Sequence, residues 1–192
     1  MFDKTVRTLV SAVTLAIACT ACQQLVDGEA STLPSAPLPA QRPRDLPLDK
    51  VAPCQLLTPE QQRDFAINAP GRPETSPTFD NGPVCNYSSE VQSTGVSFTL
   101  VKNKGIDFFT KNNVNAELRD LDIRGFRARE MFTPLAPELW AFCTVVVDTA
   151  KDQVLHAMFS ERGNTPRLTR EQVCAKAKQG AEAAVTTLMA MR

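Results

Sequence analysis

Four cysteines, Cys54, Cys85, Cys143 and Cys174, constrain this chain more than any other feature, because no two of them stand in a C-x-x-C spacing. An even set of widely spaced cysteines reads as a disulfide framework if the chain is exported, and as something else if it stays in a reducing compartment. Export therefore has to be decided first. The N-terminal segment decides it: Lys4 and Arg7 precede an uncharged apolar run from Thr8 to Ala21. A bilayer span needs about 20 apolar residues, so this run is too short to cross but suits the apolar region of a signal peptide.

The run ends in A-I-A-C-T-A-C, residues 16–22. Small residues before a cysteine resemble a bacterial lipobox, in which the thiol takes a diacylglycerol and becomes the mature N-terminus. Cys19 follows Ala16-Ile17-Ala18, which suits the aliphatic position three residues upstream better than the Cys19-Thr20-Ala21 before Cys22, whereas Cys22 is followed closely by Val26 and Gly28, and its use leaves an even number of other cysteines. The expectation is acylation at Cys22, with Cys19 as the alternative. Each buried methylene contributes about 0.8 kcal/mol, so two acyl chains hold where one only visits. The protein is thus expected on the outer face of the cytoplasmic membrane, its membrane partner reached through the lipid.

Residues 1–21 are read as signal peptide and 22–50 as lipid anchor and linker. Prolines at 34, 37, 39, 43 and 47, with no aromatic between Asp27 and Lys50, leave too little apolar surface to fold. Such chain favours polyproline II, at about 3.1 Å per residue. Residues 51–192 then form one globular domain, a size that buries a sizeable core. Lysine plus arginine and aspartate plus glutamate are 21 each, so net charge supplies no pull toward nucleic acid.

Within the domain, Thr58-Pro59-Glu60-Gln61 spells a capping box that opens a short helix to about Ile67. Residues 69–83 read as a long loop, followed by a strand over 84–89. Val96, Phe98 and Leu100 alternate with Ser97 and Thr99, the period of a half-buried strand. A helix is expected over 104–113, with Ile106, Phe108 and Phe109 inward. Arg124-Gly125 joins strands 118–123 and 126–132 in a hairpin; strands over 139–148 and 153–160 follow. Thr169 and Gln172 form a second capping box for a terminal helix whose Cys174, Ala177, Ala181, Ala184, Val185 and Leu188 share one face. The fold class is α+β, a single antiparallel sheet with helices packed on it. Of three possible pairings, Cys54–Cys85 and Cys143–Cys174 are favoured, because each joins a helix to a strand and both span 31 positions.

The segments P-C-Q-L-L-T-P-E at 53–60, Cys85 with Tyr87, I-R-G-F-R-A at 123–128, F-C-T-V-V-V at 142–147 and V-C-A-K-A at 173–177 resemble actinobacterial envelope lipoproteins grouped as a domain of unknown function, DUF3558. The resemblance implies a lipid anchor and four cysteines, and supplies no catalytic or ligand residue. The doubled cysteine at 19 and 22 departs from a single-cysteine lipobox.

Chemistry-bearing motifs are sparse. His156 is the one histidine and sits in an alternating strand, where a packed strand histidine is the simpler reading than a base. No H-E-x-x-H, G-x-S-x-G or phosphate-cradling glycine loop occurs, and no catalytic residue, metal site or cofactor is assigned. Asp120 and Asp122 share a strand face and could be drawn as a glycosidase pair, though a solvated face is simpler. Arg124, Arg127 and Arg129 cluster at the Gly125 turn as a binding surface for carboxylate or phosphate, against the plainer alternative of ion pairs with Asp120, Asp122 and Glu130. Trp140 is either a ligand-facing aromatic or core.

Three readings follow: a non-enzymatic binding module working through the 69–83 loop and the nearby sheet, with an envelope protein or wall component as partner; an accessory subunit of an envelope membrane-protein assembly; and a hydrolase, which the single histidine disfavours. Oligomeric state has no basis in the sequence.

Overall fold

The computed structural model describes residues 42–133, 141–163 and 166–191. Cys19, Cys22 and Trp140 lie outside the described residues. Seven strands form one sheet: β1 (Arg72–Ser76), β2 (Gly82–Ser89), β3 (Thr94–Val101), β4 (Glu117–Ile123), β5 (Phe126–Phe132), β6 (Ala141–Ala150) and β7 (Gln153–Glu161). They lie in the order β1-β2-β3-β7-β6-β5-β4, and every neighbouring pair is antiparallel. Among the described residues two α-helices, α1 (Pro59–Asp64) and α2 (Arg170–Ala190), and three short 3-10 turns accompany the sheet.

Alternation along the strands divides the sheet into two faces. One carries Val96, Phe98 and Leu100 of β3, Val145 and Val147 of β6, and Leu155, Ala157 and Phe159 of β7, all buried in a single cluster. Helix α2 covers it, resting on β6 and β7. Ala177, Ala181 and Ala184 on its inner side are buried, and their small side chains let the helix axis approach the sheet. Both capping boxes form as the sequence predicts, Thr58 with Gln61 and Thr169 with Gln172; each satisfies N–H groups that a helix start otherwise leaves open.

The disulfides are Cys54–Cys85 and Cys143–Cys174, each spanning 31 positions, as favoured above. The first ties the Pro53–Gln55 turn to β2, the second ties α2 to β6. Each loop of this size contributes roughly 3 to 4 kcal/mol by restricting the unfolded chain.

Four expectations need correction. The domain does not begin at 51: Leu46 and Leu48 are fully buried in the main core. This strap is pinned by Arg42, whose Nη1 donates to both oxygens of Asp148 at 3.0 Å, and by Leu46 N donating to the Thr149 carbonyl at 2.7 Å. Burial pushes the Asp148 carboxyl above its ordinary value, with Arg42 opposing the rise. Prolines made the segment look unfoldable, but its two buried leucines and these hydrogen bonds together dock it.

The 69–83 loop contains β1, whose Pro73 is tolerated because an edge strand has one side without ladder partners. Helix α1 ends at Asp64, three residues early, as Ala66 turns to φ 50°. The helix expected over 104–113 reduces to one 3-10 turn, Ile106–Phe108. Gly105, Asn112 and Asn113 are poor helix formers, and burying Ile106 and Phe109 requires only that single turn.

Candidate functional site

The second face of the sheet lies opposite α2. Part of it is closed by a small apolar cluster, in which Ile106 and Phe109 pack on Val101, Met131, Val146 and Val154. The rest is polar. Following the strand register laterally gives one row, Asn86–Ser97–Met158–Thr144–Met131, crossing β2, β3, β7, β6 and β5. At about 4.8 Å between strands, this row is about 19 Å wide. The adjacent row runs Val84–Thr99–His156–Val146.

Above these rows lie two open clefts. The larger, about 510 Å³, is walled by Glu74–Phe79 on one side and by Val114–Ala116 on the other, with Phe142 at its end. The second, about 450 Å³, extends toward Ala69–Arg72, Gly95 and Ser160. Both are lined by Asn86, Ser97 and Met158, so they form one trough along the first row. Its wall is the segment that closes around Gly82. A Cβ there would stand 2.8 Å from the Leu100 carbonyl and 3.0 Å from that of Phe79, so only glycine lets the backbone come this close.

Ser97, Thr99 and Thr144 are buried residues, yet their hydroxyls make no hydrogen bond to a described residue. Their oxygens are not sealed either, so they are directed at the trough rather than into the protein. His156 lies on the floor, half-buried, with its ring 5.1 Å from Phe79. Its Nδ1 is sealed and has no partner among the described residues. Burial depresses its pKa from 6.5 to about 4, so the imidazole is neutral at physiological pH. Glu74 is on the rim, its carboxylate engaged by Arg72 at 3.0 Å and by Asn86 Nδ2 at 2.8 Å.

Two of the arginines singled out from the sequence are engaged in separate ion pairs. Arg127 pairs with Asp107 at 3.1 Å, and Arg129 pairs with Asp120 at 2.7 Å while donating to the Phe109 carbonyl. Arg124 is exposed at the β4–β5 turn with φ 55°. Asp122 accepts from the Gly125 N–H at 2.9 Å, which leaves Asp120 and Asp122 occupied separately rather than facing a common reaction centre. Glu130 pairs with Arg119 at 2.7 Å and lies beside the Cys143–Cys174 bridge, its carboxylate and the two sulfurs within 4.8 Å of one another. Those sulfurs are bonded to each other and are not thiolates.

The trough was readable only in part. The Ser97 and Thr99 positions of β3 are the polar half of its period-2 pattern, but which helix-free strands would stand beside them depends on β7 inserting next to β3. Nothing local in the sequence signals that.

A family model described as a protein of unknown function (DUF3558) matches residues 17–187, which span both bridges, the sheet and most of α2. The chain belongs to the DUF3558 family. No curated protein and no solved structure matches it.

Proposed function

We propose that this DUF3558 protein is an exported, non-enzymatic binding module, held on the outer face of the cytoplasmic membrane by a diacylglycerol on Cys22 or, failing that, Cys19. The observation that carries the binding role is the trough itself. Three buried residues with unused hydroxyls lie beneath an opening shaped by the 74–79 segment. Folding rarely leaves such groups without partners unless water or a ligand meets them. A non-enzymatic role is supported by the surroundings of His156, which has a phenylalanine ring against it and, among the described residues, no carboxylate or nucleophile hydrogen-bonded to it. The tether is supported by the spacing of the basic, apolar and cysteine segments at the N-terminus. Arg127 and Arg129 contribute to ion pairs in this reading, and Arg124 to the turn.

Amide chemical-shift mapping against fractionated envelope material tests the binding role. Shifts concentrated at 74–79, Ser97 and Thr144 are expected. Shifts confined to α2, or none with any fraction, would overturn it. Mass spectrometry of the mature N-terminus tests the anchor; a free amino terminus without acyl mass would refute it.

A further inference from the structure

We infer that the occupant of the trough is an uncharged stretch of a glycan chain; this deepens the binding reading above and rests on it. Three properties of the trough argue for that class.

The first is charge. The central rows offer Asn86, Ser97, Thr99, Thr144 and a neutral His156; the second row reaches Arg129 on β5, but that guanidinium is held by Asp120 and the Phe109 carbonyl and does not line either cleft. Charge occurs only at the margins, where Glu74 is neutralised by Arg72 and where Glu90 and Arg162 stand at the outer end of the second cleft. Phosphate and carboxylate ligands are held by guanidinium or ammonium groups, which this floor lacks. A charged ligand would lose its hydration there with nothing to replace it.

The second is the kind of hydrogen bonding on offer. Hydroxyls both donate and accept, and a side-chain amide does each at a different atom. A surface of such groups matches a partner whose own groups are hydroxyls. An extended peptide has different needs. It satisfies its main chain by pairing with a strand edge, but β3, β7 and β6 are interior strands with both edges engaged in the ladder. Their backbone groups are spent, and only side chains face the trough.

The third is length and lining. The two clefts share three residues and run on from one another, so the trough suits a linear chain better than one compact molecule. Phe79 and Phe142 stand at its walls with Met158 on the floor, giving apolar surface for the C–H faces of sugar rings between the hydrogen-bonding positions.

The test uses the full chain in detergent, titrated calorimetrically with neutral hexasaccharides of glucan, mannan, galactan, arabinan and chitin type. Dextran sulfate, an uncharged Gly/Ser/Ala decapeptide and a fatty-acid micelle serve as comparators. At least one neutral hexasaccharide is expected to bind saturably, with affinity changing less than about twofold between about 50 and about 500 mM salt, since no ion pair is screened. Ser97→Ala combined with Thr144→Val is expected to weaken that binding by about tenfold or more, roughly 1.4 kcal/mol, with the thermal unfolding profile retained. Chemical-shift mapping on the unsubstituted protein gives the same answer should the double variant fold poorly. Binding of the decapeptide or micelle in the trough, with every hexasaccharide silent, would overturn the glycan assignment and leave the binding module standing. Dextran sulfate bound in preference to neutral chains would likewise overturn it. Silence from all probes, or binding that maps away from 74–79, Ser97 and Thr144, would overturn both.

Discussion

The two faces of the sheet are made from alternate residues of the same strands, and they differ in almost everything else. One face holds the main hydrophobic cluster, with α2 over it and the sulfurs of Cys85 and Cys143 within it. The other is closed over part of its area by Ile106, Phe109 and their neighbours and elsewhere leaves hydroxyls, an amide and a neutral imidazole beneath an open trough. The larger apolar cluster lies on the covered face, and in the proposed reading the buried polar groups of the other face serve a partner outside the protein. Phe98 and Thr99 are neighbours in β3 and show the contrast in one step: both are at most a few per cent exposed, at 0% and 5%, but only Phe98 has a packed core around it.

This division makes graded predictions. The largest concerns the bridges. Reduction of both, followed by alkylation, removes roughly 3 to 4 kcal/mol per loop, a combined loss comparable to the lower half of the roughly 5 to 15 kcal/mol typical of a domain. Urea unfolding is expected to show a mostly unfolded chain; an unchanged midpoint would mean that the covered face does not depend on its crosslinks. Next, Phe98→Ala should cost about 3 to 5 kcal/mol by the same measurement. A cost below about 1 kcal/mol would break the assignment of stability to that face.

A third prediction belongs to the open face and is read against pH. The folded-state pKa of His156, about 4, is below its ordinary 6.5. The unfolded chain therefore binds a proton in this window that the folded chain refuses, and stability is present above the ordinary value and lost as pH falls through the window. His156→Gln should flatten that loss. An identical acid profile in both proteins would show that the imidazole is solvated rather than sealed on the floor. The smallest effect is expected for Thr99→Val, under about 1 kcal/mol, because the hydroxyl removed has no partner inside the protein. A larger cost would show that it does.

The parts of this architecture that local chemistry determines were legible in advance. Thr58 and Thr169 announce helix starts because a hydroxyl three residues before a glutamine closes a reciprocal pair, and both pairs form. Arg124-Gly125 announces a hairpin, and both residues adopt positive φ. The equal 31-residue spacing of the cysteines pointed to the bridges. Long-range effects were not legible. Leu46 and Leu48 lie among prolines, and the strap docks through contacts distant in sequence, the main core and Asp148, Thr149 and Gln153. Strand β1 carries Pro73 and exposed side chains, so it becomes a strand through its pairing with β2 rather than through any pattern of its own. The trough was hidden for the same reason: Asn86, Ser97, Met158 and Thr144 come from four strands, and no segment of sequence holds more than one of them.

The central claim is the proposed one, that the face opposite α2 is occupied in the cell envelope. Hydroxyl-radical footprinting compares the protein in its native envelope with the purified full chain, using Met158 on the trough floor and Met191, which is 44% exposed at the end of α2. Occupancy predicts that Met158 oxidises more slowly in the envelope while Met191 oxidises at the same rate in both. Equal rates for Met158 in the two settings would contradict it.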